Sequence, residues 1–93
     1  LNLYARENNS QILRIQVPNN LPFDTLFERV FLKFTQKCEL IGVDSVHSGM
    51  LTELTYSIGM RKSNEVQAFM VALKQLNGNN RVSLIAGYNT TDL

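Results

Sequence analysis

Gln11–Thr35 reads QILRIQVPNNLPFDTLFERVFLKFT, and the spacing of its apolar residues changes half-way along. In Gln11–Val17 the apolar residues of one face recur at every second position, which predicts a strand. In Phe23–Thr35 they recur every three or four positions, which predicts a helix with one buried face. Pro18–Pro22 separates the two elements, because proline ends a central strand and suits the first turn of a helix.

The rest of the chain repeats this change of period. It predicts strands at Leu40–His47 and Met50–Met60, a second helix at Asn64–Leu76 and a last strand at Arg81–Ala86. The order β-α-β-β-α-β is the split βαβ arrangement, in which two helices cover one face of a four-stranded antiparallel sheet. We therefore expect an α+β, ferredoxin-like domain over residues 11–87. Residues 1–10 are expected to be a linker or an extra N-terminal edge strand, and residues 88–93 a tail.

Composition limits the class of protein. The 93 residues are 44% hydrophobic and 18% charged, which is enough apolar material for one globular domain. The net charge is +1, and the basic residues are scattered, with only Arg61 and Lys62 adjacent. Nucleic-acid binding usually needs a basic stripe, so no nucleic-acid partner is expected.

The sequence offers little material for catalysis. It has one cysteine, Cys38, and one histidine, His47, so these two residue types cannot form a metal site by themselves, and the sequence offers no second histidine or activating cluster for a reactive thiol. Cys38, at the junction of the first helix and the second strand, is interpreted as a small apolar filler, with a reactive thiol as the alternative. We expect no catalytic residues, no metal, no cofactor and no enzymatic activity.

Three positions are candidates for ligand binding. Asn19 and Asn20 lie in the loop ahead of the first helix, where backbone N–H groups could face an anion or a small ligand. His47 is expected in a hairpin turn, either as a turn residue or as a ligand-binding or pH-sensing group. The run Asn77–Asn80 follows a helix, so it is interpreted as a helix stop with Gly78 in the left-handed conformation, and not as a phosphate loop.

The outer face of the sheet tests an RNA-binding interpretation of this fold. RNA recognition on such a sheet needs aromatic residues on the first and third strands. The sequence puts other residue types at those positions, namely Ile12, Arg14, Gln16, Glu53, Thr55 and Ser57. Self-association through an edge strand or through this face is a better match to the sequence, with Ile12 and Leu51 as candidate contacts.

Three short motifs resemble a known family. They are HSGMLTELTY at His47–Tyr56, LNGN at Leu76–Asn79 and FERVF at Phe27–Phe31. Over about Ile12–Ile85 they resemble the cytosolic C-terminal domain of a bacterial family of multi-pass membrane proteins, described only as a domain of unknown function. That family carries G-S-L-x-E-L-T-Y on its third strand and R-N-G-N before its last; here Met50 follows Gly49 in place of serine, and Leu76 replaces the arginine.

The resemblance implies a small ferredoxin-like, ACT-like tail attached to a membrane domain on the cytoplasmic side of the bacterial inner membrane. The start at Leu1, not at Met, agrees with an origin as a piece of a longer protein. The leading hypothesis is a non-enzymatic regulatory or protein-interaction domain that forms homo-oligomers. The alternative is a sensor of the ACT type that binds a small-molecule effector near Asn19, Asn20 and the start of the first helix.

Overall fold

The computed structural model describes residues 10–85, and the predicted N-terminal strand or linker and the C-terminal tail lie outside the described residues. Its elements, in chain order, are β1 (Gln11–Pro18), α1 (Phe23–Leu26), α2 (Glu28–Phe34), β2 (Thr35–Val46), β3 (Leu51–Met60), a 3-10 turn (Ser63–Glu65), α3 (Val66–Leu76) and β4 (Val82–Ile85).

The strands of residues 10–85 form one antiparallel sheet in the order β2-β3-β1-β4. β1 pairs along its whole length with β3, from Gln11 opposite Ile58 to Pro18 opposite Leu51, and on its other side with β4. β2 pairs with β3, which leaves β2 at one end of the sheet. This order and the antiparallel pairing confirm the predicted α+β, ferredoxin-like fold.

The core lies between one face of the sheet and the helices. β1 and β3 each send every second side chain into it, as the period of two requires. The helices contribute the apolar faces that the 3.6-residue period predicts. The buried members are Leu13, Ile15, Val17, Phe27, Phe34, Leu54, Tyr56, Ile58, Phe69 and Leu73.

The first predicted helix is interrupted at Phe27. This residue has a non-helical backbone (φ −102°, ψ 6°), and its N–H donates to the carbonyl of Thr25. Helical bonding resumes with Phe31, whose N–H donates to the Phe27 carbonyl at 2.9 Å. Phe27 is nevertheless fully buried. The predicted apolar face therefore continues through the break, although the single helix over Phe23–Thr35 was wrong.

β2 begins five residues earlier than predicted, at Thr35. Thr35 is already extended (φ −116°, ψ 148°), and its hydroxyl donates to the Phe31 carbonyl at 2.7 Å. The Arg61 N–H donates to the Phe34 carbonyl at 2.9 Å, so the strand pairing starts where α2 ends. Consequently Cys38 lies inside β2, and its expected position at the junction of helix and strand was wrong.

The hairpin between β2 and β3 occupies residues 47–50. Met50, predicted as the first residue of the third strand, lies in this turn and is 74% exposed. The two bonds that close the turn run from the N–H groups of Gly49 and Met50 to the carbonyls of Val46 and His47. The third strand thus begins one residue later than predicted.

The second helix differs from prediction at its start and agrees at its end. Ser63 and Asn64 are residue types that cap helices, but here they form a 3-10 turn, in which the Glu65 N–H donates to the Lys62 carbonyl. Neither that turn nor α3 has a side-chain cap. At the other end Gly78 has φ 70°, which confirms the predicted left-handed helix stop.

Candidate functional site

β2 carries three exposed apolar side chains. Leu40, Ile41 and Val43 are 46%, 52% and 52% exposed, and on β2 only Thr35 is buried. Within residues 10–85 β2 hydrogen-bonds to β3 on one side and to no strand on the other. An open strand edge with apolar side chains is a template on which a further strand can pair.

A β-bulge lies in the middle of this strand. Leu40 is opposite Tyr56 and Gly42 is opposite Thr55, so Ile41 is an extra residue without a partner on β3. A Cβ atom at Gly42 would lie 3.4 Å from the Cβ of Thr55, at the near limit of ordinary van der Waals contact. The bulge changes which β2 side chains share a face.

An apolar groove runs between the helices α1 and α2 and the strand β2. Its volume is about 380 Å³. Phe31 and Tyr56 form its inner wall, with ring centroids 4.8 Å apart in an edge-to-face arrangement. Leu32, 67% exposed, and Leu40 stand at its outer side. The complete lining is Phe23, Asp24, Phe27, Glu28, Phe31, Leu32, Cys38, Leu40 and Tyr56.

Two ionisable groups of the groove are held in their neutral forms. Cys38 is exposed as a residue, but partial burial in the groove raises the pKa of its thiol to about 11. Burial, and secondarily the proximity of Cys38, raises the pKa of Tyr56 to about 12. At neutral pH the Cys38 thiol is therefore protonated, and a protonated thiol is neither the nucleophile nor a metal ligand.

Asn19 joins the loop after β1 to the hairpin turn. Its Nδ2 donates to the Gly49 carbonyl, and its Oδ1 accepts a hydrogen bond of 2.6 Å from the Thr52 hydroxyl. Both atoms of the amide are thus engaged in holding two loops together. This arrangement offers a structural reason for Asn19 beside its predicted role in ligand binding.

The other two candidate residues are exposed. Asn20 lies in the turn after Pro18, which is closed by a hydrogen bond from the Leu21 N–H to the Pro18 carbonyl. His47 lies in the hairpin turn, as predicted, with a positive φ of 53°, followed by Ser48 at 57°. The bond from Asn19 to Gly49 brings the Asn19 loop and the His47 turn to the same end of the sheet.

The outer sheet face has the polar character that the sequence predicts. Gln16 donates to the Glu53 carboxylate at 3.3 Å, and the two residues are cross-strand partners. Arg14 is exposed, whereas Ile12 and Leu51, the candidate contacts, are half-buried on that face. One exposed large apolar side chain, Ile85 of β4, lies on this face opposite Ile12, whereas β2 carries three. Of the two surfaces considered for association, the edge is therefore the more apolar.

The loop after α3 contains a buried asparagine whose role the sequence did not reveal. Asn77 is fully buried, and its Nδ2 donates to the carbonyls of Gln16, at 2.9 Å, and Asn80, at 3.1 Å. Its Oδ1 accepts from the Asn80 N–H at 3.1 Å. Asn77 thus connects the helix stop to β1.

None of the helices in residues 10–85 is long and apolar enough to cross a membrane. The same residues contain no group of three or more His, Cys, Asp or Glu side chains that could hold a metal ion.

The groove and the exposure of β2 were not predicted from the sequence. One signal for both was present: Leu40 and Ile41 are adjacent and Val43 follows, so this strand lacks the simple alternation of β1. No family model, no curated protein and no solved structure matches the chain. The resemblance to a tail of bacterial membrane proteins therefore remains a prediction.

Proposed function

We propose that this domain is a non-enzymatic protein-interaction domain that associates with itself through the outer edge of β2. The observation that carries the proposal is the row of exposed apolar side chains, Leu40, Ile41 and Val43, on a strand with an open edge. Exposed apolar residues on an unpaired strand favour association, because a further strand would satisfy the backbone groups and remove apolar surface from water.

The regulatory part of the proposal depends on the sequence resemblance. In a tail attached to a multi-pass membrane protein, on the cytoplasmic side of the bacterial inner membrane, pairing of two domains would bring two membrane domains together. The protonated Cys38 thiol supports a role without covalent chemistry.

Sedimentation of the 93-residue chain tests self-association. We expect a concentration-dependent dimer, and we expect Val43→Lys to abolish it by placing a charge at the apolar edge. Val71→Lys is the matched control, because Val71 on α3 is 51% exposed, against 52% for Val43. A chain that stays monomeric at millimolar concentration would contradict the proposal, and so would a Val43→Lys variant that dimerises as well as Val71→Lys.

The alternative function, an effector-binding sensor, is favoured by the groove beside β2. Its volume of about 380 Å³ and its aromatic lining are in the usual range of small-molecule sites. A panel of amino acids, nucleotides and phosphate compounds should then raise the melting temperature, because a ligand selective for the folded state stabilises it. Leu40→Glu would remove such a shift, whereas the absence of a shift with every compound would reject a sensor for these classes.

A further inference from the structure

We infer that β2 pairs antiparallel with β2 of a second copy about a two-fold axis between Leu40 and Ile41, so that Lys37 of each copy lies opposite Asp44 of the other. This inference rests on the proposed self-association and adds to it the register of the pairing. It follows from the faces that the β2 side chains occupy and from the positions of the charges on β2.

The bulge divides β2 into two halves with opposite alternation. Before it, Cys38 and Leu40 lie opposite Ile58 and Tyr56, which are buried, so these even-numbered residues face the helices. After it, Val43 lies opposite the buried Leu54, so the odd-numbered residues face the helices. Lys37, Glu39, Gly42 and Asp44 consequently occupy the outer face.

A two-fold axis perpendicular to the sheet keeps each face on its own side, so residues that meet across the axis must belong to the same face. With the axis between Leu40 and Ile41, the three pairs that join residues 37–39 of one copy to residues 42–44 of the other satisfy this condition. They are Lys37 with Asp44, Cys38 with Val43 and Glu39 with Gly42, and at the bulge Leu40 lies opposite Ile41. The pairing is confined to residues 37–44, because a second irregularity between Thr35 and Lys37 changes the alternation again. A slip of two residues keeps the outer faces matched but brings Glu39 opposite Asp44, and like charges directly opposite each other are unfavourable.

Charge complementarity gives the reason for a second copy as the partner. Within the protomer Lys37 lies opposite Gly59, which has no side chain to meet it. Asp44 lies opposite Glu53, a residue of the same charge. Pairing with a second copy would put an opposite charge beside both Lys37 and Asp44, twice in each dimer. Each copy therefore carries both the positive and the negative charge that the pairing needs.

The same axis brings the two apolar grooves together. Because both helical layers remain on one side of the combined sheet, the grooves beside the two β2 strands would face each other across the axis. Leu32, Leu40 and Val43 of both copies then line the common space, and their exposed apolar surface is reduced. Edge strands that are only protected from pairing with another chain usually carry charges, prolines or a bulge. β2 has charges and a bulge, but it also presents apolar side chains that protection does not require.

Cysteine cross-linking with copper phenanthroline in air tests the register, using Cys38 as a fixed probe. Residues opposite each other on antiparallel strands have Cα atoms about 4.5–5.5 Å apart, which a disulfide can span. Val43→Cys should therefore give a covalent dimer through Cys38 of the second copy. The wild-type chain, in which Cys38 meets Val43, should not. Ser45→Cys is the matched control, because residue 45 shares the face of residue 43 but would meet Cys38 only in the slipped register.

Each result identifies a different arrangement. Cross-linking of Ser45→Cys in preference to Val43→Cys would overturn the register in favour of the slipped one. Cross-linking of the wild-type chain would overturn it in favour of a shorter pairing centred on Cys38. A dimer by sedimentation that none of the three chains cross-links would overturn the register while self-association stands. A monomeric chain would overturn both, and slow exchange of the β2 amides in that monomer would indicate that another part of the chain covers the edge.

Charge reversal provides a second measurement that does not depend on thiols. Lys37→Glu and Asp44→Lys should each weaken the dimer about fivefold to tenfold, because each puts like charges opposite each other at two places. The double variant should recover most of the wild-type affinity. A double variant that is as weak as the single ones would contradict this register, and recovery by Lys37→Glu with Glu39→Lys would instead support the pairing centred on Cys38.

Discussion

β1 and β2 are both long strands with apolar residues, but only β1 is buried. β1 is paired on both sides, and its helix-facing side chains Leu13, Ile15 and Val17 are fully buried. β2 is paired only with β3 in the described part of the chain, and Leu40, Ile41 and Val43 remain exposed. The difference shows that the apolar side chains of these strands are buried where the strand is paired on both sides. Where one neighbour is missing, as on β2, apolar side chains stay exposed to solvent, and we propose that they serve association.

The first prediction contrasts one leucine from each strand. Leu13→Ala should lower the free energy of unfolding by about 2–5 kcal/mol, since it leaves a cavity in a packed core. Leu40→Ala should lower it by about 1 kcal/mol or less at concentrations where the chain is monomeric, because Leu40 is half-exposed. Urea unfolding monitored by circular dichroism gives both values, and equal losses would mean that β2 belongs to the core after all.

The second prediction concerns the hydrogen bonding at the C-terminal end of β1. β4 pairs with β1 only from Ile12 to Ile15, and the Gln16 carbonyl beyond it accepts its bond from the buried Asn77 amide. Asn77→Ala should cost about 2–3 kcal/mol, because it leaves the carbonyls of Gln16 and Asn80 and the Asn80 N–H without this partner.

Asn64→Ala is the control for that substitution, since Asn64 is exposed in the 3-10 turn. It should change the free energy of unfolding by no more than about 0.5 kcal/mol. A loss of the same size in both variants would show that Asn77 does not complete β1.

Much of β1's role could be predicted from its sequence, whereas that of β2 could not. Alternation in Gln11–Val17 sets one face of a strand, and the helix period in Phe23–Thr35 identifies the side that covers it. Those local patterns were enough for the strand order. For the exposure of Leu40 the sequence held one signal, the broken alternation at Leu40, Ile41 and Val43. The bonds of Asn77 depend on a residue 61 positions away, so no periodicity could reveal them.

The third prediction, with the smallest expected effect, concerns how stability depends on pH. It involves Cys38 on the exposed strand β2, which lies near the buried Tyr56 on β3. Burial raises the pKa of the Cys38 thiol from 9.0 to about 11 and that of Tyr56 from 10.0 to about 12. The folded state therefore prefers the protonated forms, and the corresponding stability is complete below pH 9 and is lost as the pH rises through 11 to 12. Solvent in the open groove screens both groups, so the loss of stability should be smaller than that in Leu13→Ala.

Urea titrations between pH 8 and 12 measure this loss of stability, with Cys38→Ala removing the part at lower pH and Tyr56→Phe the part at higher pH. A Cys38→Ala variant with an unchanged pH profile would show that the thiol is solvated in the folded chain, and that the edge strand is open to water up to its contact with β3.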